Sequence, residues 1–362
     1  MEKIILAVIF IAVLSSCGKT APSPETRPQG KVYDDPQEKE EFLSVLGNTH
    51  SHCRYSGDAV QTDENTVERH FQLAKENGYD FYCVTDHSQY DTYTEDAWNH
   101  ILEASETYTD DEFVAVRGYE HSENNGPGAK GHLNVYNSTS WLNALEEGVD
   151  MQFFHDWLSS PENSAVAVSM NHPEIDQYSG FACYNDSARD RITMFEVING
   201  TDIYYDSYKK ALSLGWKVSP VAGCDNHAVN AIGKWMPRTG LAVKELTREG
   251  IYDAMRNRRT YATSESGLKV IYYVNNHVMG SVFNTSSDEL VFDVEVSIPD
   301  PGKIGRIEIV NFSDSVVASG TFDSNNVECS LSVPYRKGCY YLKIYNFTSP
   351  DPVAYTAPVW IE

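Results

Sequence analysis

Histidines and carboxylates recur along this chain in pairs whose spacing suits a shared metal ion. His50-x-His52 and Asp225-x-His227 are each separated by one residue, Asp86-His87 are adjacent, and His132 and His172 stand singly. In an extended strand residues i and i+2 point to the same side, so each spaced pair can present two ligand atoms to one ion. One such pair is a weak signal. Five clusters, mostly at the carboxyl ends of expected strands, point to a common centre, because strand ends converge on one mouth when a sheet closes. Imidazole and carboxylate donors without a thiolate suit Zn, Mn or Fe rather than an iron–sulfur cluster or a structural cysteine-type zinc site. So many ligands imply more than one divalent ion. Cys53 and Cys224 adjoin these groups but face the other way in a strand, and are assigned to packing.

The elements that must position these groups alternate in type. Phe42–Thr49 reads as a strand, and Glu64–Asn77 as a helix with Val67, Phe71 and Ala74 on one face and Asn77-Gly78 as its stop. Phe81–Thr85 reads as the next strand. Further strands are expected at 113–118, 132–136, 165–170, 194–198, 217–222 and 240–243, with helices near 95–108, 151–159, 203–214 and 248–258. This alternation predicts a parallel sheet wound with helices, open or closed into a barrel. Beyond Ser264 the texture changes to short alternating strands at 270–274, 290–296, 306–310, 327–333 and 340–345, separated by Asn, Asp, Ser, Gly and Pro. That predicts a small all-β, sandwich-like domain over 265–362. Cys329 and Cys339 flank an expected hairpin turn at Pro334–Gly338, but alternation puts them on opposite faces, so no bridge is expected.

The chain has 362 residues, enough for two or three domains with a large core. Its 28 basic and 52 acidic side chains give a net charge of −24, which repels phosphate polymers and argues against nucleic acid as a partner. At the amino end, Glu2 and Lys3 precede an apolar run from Ile4 to Leu14 and then Ser15-Ser16-Cys17. The run is too short to span a bilayer and has the length of a signal-peptide core. The ending resembles a bacterial lipobox, so residues 1–17 are expected to be a lipoprotein signal with Cys17 as the lipidated residue. Residues 18–40, with Pro22, Pro24 and Pro28, read as a flexible tether. The mature chain is then expected outside the cytoplasm, periplasmic or at the cell surface, held to a membrane by lipid alone. In that compartment Cys53, Cys83 and Cys224 read as buried free thiols.

The ordered segments His50-Ser51-His52-Cys53-Arg54-Tyr55-Ser56-Gly57-Asp58, Val84-Thr85-Asp86-His87, Arg117-Gly118-Tyr119-Glu120, Gly131-His132-Leu133-Asn134, Asn171-His172-Pro173 and Ala222-Gly223-Cys224-Asp225-Asn226-His227 resemble the successive motifs of the PHP (polymerase and histidinol phosphatase) family. The stretch from Gly118 to Tyr136, with Met255 to Tyr261, is most similar to the CehA/McbA-type metallohydrolases within it. The resemblance spans residues 44–264 and implies a distorted (β/α)7 barrel, here over 41–264, with a trinuclear centre. Carried over by position, His50, His52, Glu120 and Asp225 hold a first ion. Glu120 bridges to a second held by His132 and His172, and Asp58, His87 and His227 hold a third. Asp58 stands where many relatives have His, which favours a harder ion such as Mn or Fe. Cys224 stands where Ser is commoner.

Such a centre implies hydrolysis by a metal-bound hydroxide, with no side-chain nucleophile required. Around it, Asp86 is a candidate to orient an imidazole, and His121 a candidate to protonate a leaving group. Arg54, Lys130, Arg238 and Arg259 are candidates to clamp a small anionic substrate. Glu196 and Asn199 end a strand and either line the mouth or pack. A phosphoester is the leading substrate class; a carbamate, carboxylic ester or amide is the alternative on the same centre. A different class of reading is a metal-containing binding lipoprotein whose β domain contacts glycan or protein.

Overall fold

The computed structural model describes residues 35–123, 130–183 and 185–362. The expected signal, Cys17 and the tether up to residue 34 lie outside the described residues. Strands β1 (Leu43–Asn48), β2 (Phe81–Val84), β3 (Val114–Glu123), β4 (Gly131–Tyr136), β5 (Ala167–Asn171), β6 (Ile192–Asn199), β7 (Ser219–Gly223), β8 (Arg238–Val243) and β9 (Thr260–Thr263) lie in the order 9-8-1-2-3-4-5-6-7. The sheet curls until β7 meets β8 and β9 through side chains. Thr239 Oγ1 donates to the Ala222 carbonyl at 2.8 Å, and Thr260 Oγ1 to the Pro220 carbonyl at 2.7 Å. The result is a curled half-barrel.

The expectation of a parallel sheet is corrected. β1–β2–β3 and β5–β6–β7 are parallel, but β3–β4–β5 run antiparallel, as do β8 and β9 against their neighbours. Only residues 124–130 separate β3 from β4, fewer than the dozen or more a parallel crossover needs, in keeping with the antiparallel pairing of the two strands.

Helices α1 (Val67–Glu76), α2 (Glu95–Tyr108), α3 (Met151–Ser159), α4 (Tyr205–Ser213) and α5 (Arg248–Arg256) pack on this sheet. Thr66, Thr94, Asp150 and Thr247 precede α1, α2, α3 and α5, and each accepts a hydrogen bond from the backbone N–H three residues on. Each cap thus satisfies a donor the helix itself cannot. Phe71, Trp98, Phe154 and Tyr208 of α1 to α4 pack with Tyr82, Ala115, Tyr119 and Phe195 on the outer face. Inside, Val45, Phe81, Val114, Met194, Val221 and Leu241 pack with Ile251 and Met255 of α5, which plugs the end of the half-barrel away from the histidines.

Beyond β9 the chain is strand-rich. β10 (Lys269–Val274), β11 (Glu289–Ser297), β12 (Ile304–Asn311), β13 (Val316–Ser324), β14 (Asn326–Pro334), β15 (Gly338–Asn346), β16 (Ala354–Thr356) and β17 (Val359–Ile361) divide between two sheets. β10, β11 and β14 form one. β12, β13, β15, β16 and β17 belong to the other, which continues through the β16–β9 pairing into the half-barrel. Leu290, Phe292 and Val294 of the first share a core with Ile307, Leu342 and Ile344 of the second. The expected hairpin at Pro334–Gly338 is corrected: β14 pairs with β11 and β15 with β12, so residues 335–337 cross between sheets. Cys329 and Cys339 are free thiols, as are Cys53, Cys83, Cys183 and Cys224.

Side-chain contacts join the halves beside the shared sheet, among them those of two tyrosines. The Tyr205 hydroxyl on α4 donates to Asp314 Oδ1 at 2.6 Å and lies 2.6 Å from the Tyr341 hydroxyl. Tyr273 of β10 donates to the Glu40 carbonyl at 2.6 Å, fixing the segment before β1. No helix among the described residues is long and apolar enough to cross a membrane.

Candidate metal centre

The carboxyl end of the half-barrel gathers the histidines around one carboxylate. Glu120 projects from β3 and is fully buried; its Oε1 lies 3.3 Å from His50 Nε2, 3.3 Å from His132 Nδ1 and 3.5 Å from His172 Nε2. Its Oε2 lies 3.4 Å from His52 Nε2 and 2.9 Å from His87 Nδ1. Asp225 Oδ1 stands 3.3 Å from His50 Nε2 and 3.0 Å from His52 Nε2, and Asp58 stands 3.4 Å from His87 Nε2 and 3.5 Å from His227 Nε2. The structure thus brings all nine of these positions into one cluster. Groups of ligand size can be drawn through it in several ways, among them His50, His52 and Glu120; His50, His172 and Asp225; His87, Glu120 and His132; and His52, His87 and His227.

Contacts behind the ligands decide which nitrogens face inward. His50 Nδ1 donates to Glu196 Oε1 at 3.1 Å, and His52 Nδ1 donates to Ser56 Oγ at 2.8 Å. Ser56 in turn donates from Oγ and from its backbone N–H to Asp86 Oδ1, at 2.9 and 3.0 Å. With Nδ1 protonated by these partners, His50 and His52 turn lone pairs toward each other, Nε2 to Nε2 at 3.0 Å, with Glu120 and Asp225 beside them. A buried knot of acceptors with no donor among them repels itself unless a cation sits in it. The donor set therefore fits divalent metal ions.

The electrostatics agree. Burial alone would raise the carboxyl of Glu120, yet His50, His87 and His132 hold it well below the ordinary range. Burial would lower His50 and His87, but neighbouring carboxylates, Asp225 and Glu120 for His50 and Glu120 and Asp58 for His87, outweigh it and hold His87 up to about 10. His52, between them, is pushed down to about 3 by burial and by His87. The site is a sink for positive charge.

Two of these positions carry backbone strain. His172 has φ of +29° and Asp225 φ of +47°, both in the positive-φ region that favours glycine, at a cost of about 1–3 kcal/mol each. Each is pinned: the His172 N–H donates to Glu196 Oε2 at 2.7 Å, and the Asp225 N–H to the His50 carbonyl at 3.0 Å.

Several expectations for the surrounding groups are corrected. His121 is not at the mouth. It follows Glu120 in a strand, so its ring points to the opposite face, where it is buried and stacked on Phe154 of α3 at 4.8 Å between centroids. Asp86, by contrast, does reach an imidazole, that of His52, through Ser56; it also accepts from the Cys53 thiol at 3.0 Å. Arg238 is buried over the Tyr79 ring and donates to the carbonyls of Gly233, Lys234, Met236 and Pro237, so it braces a loop. Arg259 is buried beside β8, donating to the Ala242 carbonyl and to Asp253. Neither can clamp a substrate. Arg54 and Lys130 are half-exposed and lie 4.0 Å from Asp63 and 3.0 Å from Glu123.

Other residues act here that the pattern of ligands did not single out. Asn171 Nδ2 donates to Glu120 Oε1 at 2.8 Å, and the Ser122 hydroxyl lies 2.6 Å from His87 Nδ1. Ser122 is i+2 from Glu120 in a strand, so alternation was a usable signal for it. The Tyr178 hydroxyl donates to the His132 carbonyl and accepts from the Asn171 N–H, tying the ends of β4 and β5. It fits only because residue 131 is glycine, where a Cβ would lie 2.3 Å from the Tyr178 ring.

No protein-family model and no curated protein matches the chain. Among solved structures, it is similar to a two-domain protein of Bacteroides vulgatus containing a predicted PHP-like metal-dependent phosphoesterase, at 15% identity and a TM-score of 0.49 over 92% of this chain and 100% of that one. It is also similar to PsfC of Pseudomonas syringae, at 16% identity and a TM-score of 0.42 over 59% of this chain and 89% of that one. Endonuclease Q bound to a duplex with an abasic lesion is a third, at 15% identity and a TM-score of 0.36 over 59% of this chain and 57% of that one.

Proposed function

We propose that this chain is a metal-dependent hydrolase of the PHP type, nearest the CehA/McbA group, that cleaves a small anionic phosphoester outside the cytoplasm. The observation that carries this reading is Glu120, a buried carboxylate within 3.5 Å of five imidazoles: His50, His52, His87, His132 and His172. In this reading His50, His52, Glu120 and Asp225 hold one divalent ion, Glu120, His132 and His172 a second, and Asp58, His87 and His227 a third. Zn, Mn or Fe fits these donors, and the oxygen of Asp58 favours the harder two. Bound there, such ions polarise phosphoryl oxygens and generate a nucleophile from water near neutral pH.

The chain's own groups do the rest. Glu196 and the Ser56–Asp86 pair keep Nδ1 of His50 and His52 protonated, leaving Nε2 free to ligate. Exposure grades across the cluster from 0% for the side chains of His50, His52 and Glu120 to 31% for His227 and 42% for Asp58, so substrate enters on the Asp58 and His227 side. With Arg238 and Arg259 occupied elsewhere, positive charge for an anion falls to the ions, Arg54 and Lys130. The domains in this reading run over 41–264 and 265–362, the latter a sandwich available for glycan or protein, behind a lipid-anchored Cys17.

Elemental analysis of protein beginning after Gly30, reconstituted with Mn, Fe or Zn, together with a panel of phosphomonoesters and phosphodiesters, tests this. Two to three ions per chain and phosphoester turnover are expected. Fewer than one ion per chain overturns the centre; turnover confined to carbamates, carboxylic esters or amides in the same panel overturns the substrate class.

A further inference from the structure

On the side of β3 away from Glu120, two arginines share a cavity. Arg117 lies three residues before Glu120 and so faces out of the half-barrel, with Ala115 and Tyr119, toward α2. Its guanidinium is stacked 3.5 Å over the Trp98 ring and donates to the carbonyls of Trp98 and Ser138 at 3.2 and 3.4 Å. Arg248 opens α5 and donates to the carbonyls of Ala115 and Ser105 and to Thr109 Oγ1, at 3.4, 3.0 and 3.3 Å. Between them is a cavity of about 200 Å³ lined also by Leu102, Ser105, Ser138 and Tyr252.

Three features set this place apart. Among the described residues neither guanidinium has a carboxylate within salt-bridge distance, although the chain carries 52 acidic side chains. Each is fixed by backbone carbonyls and, for Arg117, by an aromatic face, so both forks are held in place before anything binds. Each still has N–H groups unspent: of five per guanidinium, the contacts above use two on Arg117 and three on Arg248. Two like charges converging on one partly buried space repel each other, and an anion between them removes that repulsion and takes up the free donors.

We propose that this cavity is a binding site for a small tetrahedral oxyanion, separate from the metal centre and independent of which reaction that centre performs. Arg117 and Arg248 supply the charge and the forked donors, and the hydroxyls of Ser105, Ser138 and Tyr252 line the remainder. The volume admits an inorganic phosphate or sulfate, or the phosphate head of a small ester.

The test is calorimetric titration of the metal-loaded protein with sodium sulfate at ionic strength held constant with chloride, comparing wild type with Arg248→Met and with Lys244→Met, an exposed control. Metal content and turnover are measured in parallel, and both are expected to be unchanged in Arg248→Met. The expected result is a saturable sulfate site in wild type and Lys244→Met that weakens at least ten-fold in Arg248→Met. Identical isotherms in all three proteins, or an equal response to chloride alone, overturn the proposal. Should Arg248→Met fail to fold, wild-type crystals soaked in selenate decide it: an anomalous peak between Arg117 and Arg248 is expected, and selenate found only at the metal centre overturns the site.

Discussion

Gly223 stands where any side chain would strike Glu196. A Cβ there would lie 1.9 Å from Glu196 Oε1 and 2.7 Å from His50 Cβ. The missing side chain therefore lets the end of β7 press against the carboxylate that keeps His50 Nδ1 protonated and also receives the His172 N–H. Gly223→Ala is expected to push Glu196 off both partners while leaving the outer helices in place. The consequence is metal affinity weakened by about 10–100-fold, the usual range when the partner of a ligating histidine is lost. Competition with a chromogenic chelator measures it, and unchanged affinity in a folded variant contradicts the role given to Glu196.

Glu120→Gln separates catalysis from binding. The amide keeps the size of the carboxylate and still faces Asn171, but removes the charge that five imidazoles surround. At least one ion is expected to be lost, and turnover to fall by several orders of magnitude with the thermal transition retained. Full metal content with near wild-type turnover on phosphoesters is incompatible with Glu120 as a shared ligand.

How much of this was legible beforehand divides along a physical line. His50, His52, Asp225 and His227 are picked out by period two, yet β1 stops at Asn48, β7 stops at Gly223 and Asp225 has φ of +47°, so both pairs converge from the turns just past strand ends rather than along an extended run. The same rule, applied to Glu120 and His121, already turns His121 away from the cluster, since adjacent strand residues cannot both face it. Arg238 and Arg259 are a different matter. Their fates depend on carbonyls of residues 233–237 and on Asp253, and no spacing pattern reveals where a loop will offer unpaired carbonyls. The crossing at 335–337 was equally hidden: β14 and β15 each satisfy their backbones with strands distant in sequence, and a short polar connection between two strands reads the same whether they pair or part. Glu196 lay between these cases. Its place near a strand end was visible, but its partners His50 and His172 come from the turns after β1 and after β5, contacts that only the curled sheet creates.

His121→Ala tests the corrected role of that histidine. Its ring is buried against Phe154, and burial pushes its pKa down to about 4, so it is neutral and away from the reacting groups. Removing it should destabilise the fold by roughly 2–4 kcal/mol through the cavity left behind. Turnover per bound metal should stay near wild type, with the same loss, if any, for good and poor leaving groups. A loss of rate that grows as the leaving group becomes more basic would restore His121 as a proton donor.

His70 makes the fold sensitive to acid at a site away from the metals. It sits on the buried face of α1 with Nε2 2.9 Å from Asn65 Oδ1, and burial lowers its pKa from 6.5 to about 3. In the unfolded chain the same imidazole takes up a proton below pH 6.5, so the unfolded state binds more protons than the native state between pH 6.5 and 3. Stability contributed by the neutral ring is therefore fully present above pH 6.5 and is lost as pH falls through that window. For one group the loss is about 2 kcal/mol by pH 5. His70→Gln keeps a donor for Asn65 but has no proton to gain. Urea melts at pH 7 and pH 5 on metal-loaded protein should show a midpoint drop in wild type that shrinks by that amount in His70→Gln. Equal drops in the two proteins would mean that His70 is not the group through which acid weakens this fold.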